Sequence, residues 1–425
     1  MRANELRKLL SDGALEKYSA LYSDISAQTN RFIKALDAFT ADYGADRDVA
    51  IFSVPGRSEI IGNHTDHNHG TVMAGAISRD IIAVAAKNND GVIRFRSEGY
   101  SPDSIKLSDV SNPANFKRFT SRALVAGVAD GFAKNGYAIG GFDAYSTTEV
   151  LKGSGLSSSA AFEVMIGNVL NHFYSDGAVD NKEIAKISQY SENVFFGKPC
   201  GLMDQMACAV GSFVYIDFDD PKKPIVEPID FSLSKNGYKL CIVNTGGNHS
   251  NLNDDYASVP KEMKAVAEYF GKQTLRGLER DGIINKFNEL RRKTGDRAIL
   301  RALHFIGECE RVETARHALV GNDIDAFLGC IVASGNSSYK YLQNVYTNKA
   351  PEEQGISLAL ALSELYLESR KGAYRVHGGG FAGTVQAFVR REDVEGYIAL
   401  MERAFGEGAV MTLDIRPEGA VKLFG

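Results

Sequence analysis

Apolar residues recur at helical spacing between positions 5 and 43: Leu9, Leu10, Leu15, Tyr18, Leu21, Tyr22, then Phe32, Ile33, Leu36 and Phe39. This predicts one or two amphipathic helices. The pattern then changes. VAIFSVPG (49–56), IIAVAA (81–86) and VIRFRS (92–97) are short, rich in branched residues, and predict strands. FTSRALVAGVADGFAKNG (119–136) predicts a helix ending at Gly136, and FDAYSTTEV (142–150) alternates like a strand. EIAKISQYSENVFFG (183–197) predicts a helix stopped by Gly197 and Pro199. GSFVYIDF (211–218) and YKLCIVNTG (238–246) predict strands around the proline-rich DDPKKPIVEP, which fits a domain junction or a hairpin turn. Residues 258–345 are mostly helical in pattern, with polar breaks near 280–284 and 320–323, and 352–372 forms a further helix. The close holds two strands around a glycine run (373–389), a helix over 391–405 and one last strand in MTLDIRPEGAVKLFG. Strands and helices alternate without a regular strand–helix–strand series, so the pattern predicts α+β.

One stretch joins these elements to chemistry. LKGSGLSSSAA (151–161) sets Gly153 and Gly155 among serines directly before an apolar helical run. Glycine lets a turn expose its N–H groups closely, and a helix N-terminus adds positive potential; together they suit a phosphate. A plain linker before a core helix has the same look. No Gly-Lys-Ser/Thr follows, so it is not a Walker A loop.

The chain has 425 residues, enough for two or three domains. A net charge of −5 without a basic run argues against nucleic acid as a partner. Five cysteines (Cys200, Cys208, Cys241, Cys309, Cys330) form no C-x-x-C pair, which fits a reducing cytosol. The charged start is no secretory signal, and no run of 18 apolar residues exists to span a membrane.

Three further stretches carry candidate chemistry. PGRSEIIGNHTDHNHG (55–70) packs Arg57, Glu59, Asn63, His64, Asp66, His67, Asn68 and His69 behind a strand. Its histidines and Asp66 could hold a metal, though no second ligand cluster accompanies them. Its mixed donors and acceptors also suit a hydroxyl-rich ligand. In 373–389, Gly378, Gly380 and Gly383 fit G-x-G-x-x-G, but the continuation TVQAFV predicts a strand rather than the helix a dinucleotide site needs. In CGLMDQMACAVG (200–211), Asp204 stands in an apolar setting, where a carboxylate is either paired or chemically active. A structural cap remains the alternative there.

In this order the stretches resemble the galactokinases, members of the GHMP-type small-molecule kinases. PGRSEIIGNHTDHNHG is similar to the sugar signature P-G-R-V-N-L-I-G-E-H-T-D-Y-N-x-G, and GSGLSSSAAFEV to the phosphate motif G-x-G-L-S-S-S-A-S/A-x-E-V. CGLMDQMA resembles C-G-I-M-D-Q-F-A, and RVHGGGFAGTV resembles R-M-T-G-G-G-F-G-G-C. The resemblance implies a two-domain α+β fold with the active site in the cleft between domains. It implies a helical extension over 1–28, an N-terminal kinase domain over 29–222 and a C-terminal one over 223–425.

It also implies roles. Asp204 would take the proton from the anomeric hydroxyl, and Arg57 would stabilise the transferring phosphoryl. Asn63, His64, Asp66, Gly201 and Tyr256 would hold the sugar. Gly153, Ser154, Gly155, Leu156, Ser157, Ser158 and Ser159 would wrap the ATP phosphates, with Ser159 and Glu192 on Mg2+. The implied function is ATP-dependent phosphorylation of galactose at its anomeric position by a cytoplasmic enzyme, with a monomer favoured. Rival readings are a 1-kinase for a related sugar such as galacturonate, a non-catalytic sugar-sensing regulator, and a metal hydrolase built on the histidines. The chain departs from the family at Asn63 for Glu, His67 for Tyr, Leu151 for Pro, His377 for Thr and Ala382 for Gly. Asn63 removes a negative charge at a position that faces carbon 6 of the sugar in the family, so relaxed selectivity there is expected.

Overall fold

The computed structural model describes residues 1–150, 155–247 and 252–425. Two helices come first, α1 (Ala3–Ser11) and α2 (Ile25–Tyr43). Asp24 caps α2 by accepting from the Ala27 N–H at 2.9 Å, and Phe32, Ala35, Leu36 and Phe39 form its buried face. The strands β1 (Ala50–Ile61), β2 (Thr71–Lys87), β3 (Val92–Ser97) and β4 (Asp103–Lys106) follow, then helix α3 (Ser121–Lys134) and strand β5 (Phe142–Thr148). Next come α4 (Ser158–Tyr174), α5 (Asn181–Tyr190), α6 (Met203–Val210) and the hairpin β6 (Phe213–Asp217) and β7 (Ile225–Ile229).

These strands build a mixed sheet in the order β12-β1-β2-β5-β3-β4, where β12 is Val421–Phe424 from the far end of the chain; β6 also pairs with β2 and β7 with β6. Alternation along β2 explains its two covers. Ile81, Ala83 and Ala85 pack with α3 to α6, while Ile82, Val84 and Ala86 pack with α1 and α2. Asp80, fully buried, ties these layers together. It accepts from Arg31 at 2.6 Å, Tyr22 at 2.7 Å and Arg416 at 3.2 Å. The N-terminal helices are thus bonded into the first sheet.

A second antiparallel sheet runs β11-β8-β10-β9, from β8 (Tyr238–Asn244), β9 (Ala373–His377), β10 (Thr384–Arg390) and β11 (Val410–Leu413). Helices Ile324–Ser337, Gly355–Leu367 and Val394–Phe405 pack on it, and α7 (Asn253–Tyr269) packs against the long helix Asp296–Val320.

Three sequence expectations change. The proline-rich turn is the tip of the β6–β7 hairpin, so both its strands stay in the first sheet. The expected last strand is two strands, β11 and β12, that belong to different sheets. β1 does not stop at Gly56; it runs to Ile61 with shifts of register beside Pro55 and after Glu59. Among the described residues no helix is long and apolar enough to cross a membrane.

Candidate active site

The extension of β1 carries Arg57 into the gap between the sheets. Gly56 makes this possible, because a β-carbon there would sit 2.7 Å from the Leu156 carbonyl oxygen. The Arg57 N–H donates to that same carbonyl at 3.1 Å. Beyond Arg57, the strand is held to the second sheet: Arg375 and Gln386 both donate to the Ile60 carbonyl, at 2.8 and 2.7 Å, and Ser58 meets His377 at 3.1 Å.

Asp204 lies in the first turn of α6, and the structure brings it to Arg57. Arg57 Nε donates to Asp204 Oδ1 at 2.7 Å, and Arg57 Nη1 donates to the Gly155 carbonyl at 2.5 Å. Ser157 donates to Asp204 Oδ2 at 2.5 Å. Ser157 is the residue before α4 and has φ 61°, a left-handed conformation that costs free energy for any residue but glycine. Its side chain does not cap the helix and instead reaches the carboxylate. Burial would push Asp204 up, but the charge and hydrogen bonds of Arg57 outweigh it, with help from Ser157. The net direction is down, so Asp204 is ionised at neutral pH.

Gly155, Leu156, Ser157, Ser158 and Ser159 gather at the start of α4; Gly153 and Ser154 lie outside the described residues. Ser159 donates to Glu192 Oε1 at 3.2 Å, and Lys198 Nζ lies 3.2 Å from the same oxygen. Gln205 donates to Glu192 Oε2 at 2.7 Å and to Glu163 Oε2 at 3.2 Å. Burial and the charge of Glu192 drive Glu163 well above the ordinary carboxylate value. Its Oε1 is buried with no hydrogen-bond partner among the described residues.

The signature turn after β1 faces the glycine run, which is the loop of the β9–β10 hairpin. His64 meets the Gly379 carbonyl at 3.0 Å and His67 at 3.4 Å, and Tyr256 donates to the Gly380 carbonyl at 3.0 Å. Asp66 lies against Gly201, where a β-carbon would come within 2.6 Å of its Oδ2. Burial raises Asp66, opposed by His64. Among the described residues no group of three or more His, Cys, Asp or Glu side chains is arranged to hold a metal ion.

Asn63 is fully buried and fully bonded. Its Nδ2 donates to Glu59 Oε1 at 2.9 Å and to the Gly378 carbonyl at 2.7 Å. Its Oδ1 accepts from Asn344 at 2.7 Å and Ser338 at 3.4 Å. The turn has not lost its negative charge: Glu59 stands where the signature has asparagine, and Asn63 where it has glutamate. Comparing all sixteen signature positions with residues 55–70, rather than the glutamate alone, would have found it.

Two other residues escaped the sequence. Glu308, buried in the long helix, accepts the N–H groups of Gly62 at 3.0 Å and Asn63 at 3.3 Å, and Arg311 donates to it at 2.8 Å. His304, one turn earlier, lies 2.9 Å from the Asn63 carbonyl. Their helix showed only an ordinary amphipathic pattern.

The family model of the galactokinase galactose-binding signature matches residues 37–87, and that of the GHMP kinases N terminal domain matches residues 123–212. A galactokinase of Streptomyces coelicolor is 30% identical over 376 residues, covering 87% of this chain and 92% of that protein. A galactokinase of Actinobacillus pleuropneumoniae is 31% identical over 362 residues, covering 85% and 90%. Among solved structures, Lactococcus lactis galactokinase complexed with galactose superposes with TM-score 0.77 at 23% identity, covering 92% of this chain and all of that one. A mevalonate kinase superposes at 0.59 with 14% identity, covering 87% and 99%. An arginine-held carboxylate beside a serine-rich helix start, with the signature turn alongside and relatives matched over most of their length, makes this chain a sugar kinase of the galactokinase family.

Proposed function

We propose that the chain transfers the terminal phosphoryl group of ATP to the anomeric hydroxyl of galactose, with Asp204 and Arg57 as the catalytic pair. One observation carries the reading: the Arg57 guanidinium bonds Asp204 on one side and the Gly155 carbonyl of the serine-rich loop on the other. A cation at that point lies between a proton acceptor and a phosphate cradle. Phosphoryl transfer passes through a loose transition state, so it asks for positioning and charge neutralisation more than for a strong base. A carboxylate held low by Arg57 suits this. It orients the hydroxyl and takes the proton late, as the oxygen bonds to phosphorus and becomes acidic.

The described part of the loop, Gly155 to Ser159, and the start of α4 would receive the phosphates. Ser159 and Glu192 offer two adjacent hard oxygen donors, and Glu163 Oε1 adds an unpartnered buried oxygen. Two protein oxygens completed by phosphate are the usual environment of Mg2+ in such sites. Bound there, Mg2+ would neutralise phosphate charge. His64, Asp66, Gly201 and Tyr256 would surround the sugar, with Asn63 in the wall behind them.

In this reading the chain has two lobes, one around each sheet, with the boundary after β7 and the C-terminal strand returning to the first lobe. The proposed boundary falls after Ile229 rather than at residue 222, because β7 pairs with β6. A monomer is the proposed state. The free cysteines fit a cytoplasmic setting.

The test is a sugar panel with ATP, followed by ADP release. Galactose should be turned over. Turnover of galacturonate with galactose inert would replace the substrate, and no turnover with any sugar would leave only a sensing role.

A further inference from the structure

The exchange of amide and carboxylate in the signature turn changes which side chain is available to a ligand. An asparagine side chain has two amide hydrogens and an oxygen with two lone pairs. Asn63 spends all four, on Glu59, Gly378, Asn344 and Ser338. Glu59 does not. Its Oε1 accepts from Asn63 and from Arg375 Nη2 at 3.1 Å, while its Oε2 accepts no hydrogen bond among the described residues. Glu59 keeps 7% of its surface exposed, against 0% for Asn63. Between residues 57 and 59 the pairing of β1 with β2 is regular, so Arg57 and Glu59 leave the strand on the same face. The charge of Glu59 is felt at Arg57.

We propose that Glu59 is the specificity-determining carboxylate of the sugar site, and that Asn63 is the positioning residue that holds it. This rests on the cleft being a galactose site. Glu59 Oε2 accepts a hydroxyl hydrogen of the sugar; Arg375, fully buried, fixes Oε1 and balances the charge. An ionised carboxylate only accepts, so it favours a neutral hexose and repels a sugar acid. The exchanged pair therefore keeps the selectivity that Asn63 alone would have lost. It also couples the two positions. A glutamate at 63 would set a second carboxylate against the first, where the Asn63 amide now donates at 2.9 Å, and turn an acceptor toward the Gly378 carbonyl.

The test compares wild type, Glu59→Gln, Asn63→Glu and the reciprocal double variant Glu59→Asn/Asn63→Glu, with galactose and galacturonate as substrates. Wild type should prefer galactose in kcat/KM by at least about a hundredfold, the order expected for juxtaposed like charges. Glutamine can still accept from Arg375 and Asn63 but presents an amide to the sugar. Glu59→Gln should therefore raise KM for galactose about tenfold, the gap between charged and neutral hydrogen bonds, with a smaller change in kcat. It should also narrow the preference over galacturonate by a similar factor, which a merely structural role would not do. Asn63→Glu alone should lose more than Glu59→Gln, and the double variant should recover most of that loss.

An unchanged preference in Glu59→Gln, or a parallel fall with both sugars, overturns the proposal. So does wild-type preference for galacturonate, or a double variant no better than Asn63→Glu. If Asn63→Glu does not fold, the Glu59→Gln ratio decides alone. If wild type folds but releases ADP with neither sugar, the kinase reading itself fails, and that outcome is distinct from the others.

Discussion

Replacing Glu308 by glutamine removes one charge from the centre of the protein and leaves the shape nearly intact. Glu308 is completely buried, holds the Gly62 and Asn63 N–H groups, and is bonded by Arg311 and Ser334. Burial alone would raise its pKa, but His304 when charged, Arg311 and Arg375 pull it from 4.5 to about 2. That difference sets an upper bound of about 3 kcal/mol on the stability it brings at neutral pH, since burial lowers His304 to about 4 and leaves it neutral there. The folded value is the lower one. The contribution is therefore complete above pH 4.5 and is lost as the pH falls toward 2. Glutamine can still accept from Gly62, but it carries no charge and sets an N–H donor against Arg311. Unfolding entropy of about 2.1 cal/mol/K per residue gives a 425-residue chain a shift of about 1 °C per kcal/mol. Melting followed by circular dichroism should show Glu308→Gln below wild type at pH 7, by up to about 3 °C. Urea unfolding should show the gap shrinking to about 1 kcal/mol near pH 3. KM for galactose should rise more than KM for ATP, because the anchor holds the signature turn. Equal stability at pH 7, or a gap that does not shrink in acid, would refute the reasoning.

Three more outcomes follow from the site. Ser159→Ala should raise the Mg2+ and ATP concentrations needed for half-maximal rate and leave galactose KM nearly unchanged; a loss confined to galactose would remove Ser159 from the phosphate site. Gly56→Ala should push β1 away from the Leu156 carbonyl, costing about 1–3 kcal/mol as overpacking does, and should lower kcat; normal kcat and melting would show that the close approach is dispensable. Because Arg57 holds Asp204 below its ordinary value, kcat should show no acid limb from Asp204 between about pH 5 and 8; a limb near 6 that vanishes in Asp204→Asn would contradict that.

The sequence showed its periodic elements and its isolated chemistry. Helix α2 was legible because Phe32, Leu36 and Phe39 repeat on one face. The first half of β2 was not, because Thr71 to Ile77 is rich in small residues and buried on both faces, so no alternation marks it. The ends β11 and β12 merged into one expected strand because their separation is tertiary: one pairs with β8, the other with β1. Asp204 stood out as a lone acid among apolar residues, and Arg57 is indeed its partner. The bonding of Asn63 could not be read locally. Asn344, Gly378 and Ser338 reach it from the other end of the chain, and Glu308 is set by helix packing. A single departure from a motif therefore says less than the pair, because Glu59 four residues away restores the charge count.

The central claim is that Asp204 and Arg57 direct phosphoryl transfer from ATP to the anomeric oxygen of galactose. Phosphorus NMR of the reaction mixture tests it directly, with wild type and Asp204→Asn run side by side. Wild type should accumulate galactose 1-phosphate as the sugar product. Asp204→Asn should make it at least about 10²-fold more slowly while binding galactose with nearly unchanged affinity. A phosphate ester at another carbon, or an Asp204→Asn variant that forms the 1-phosphate at nearly the wild-type rate, would contradict the account.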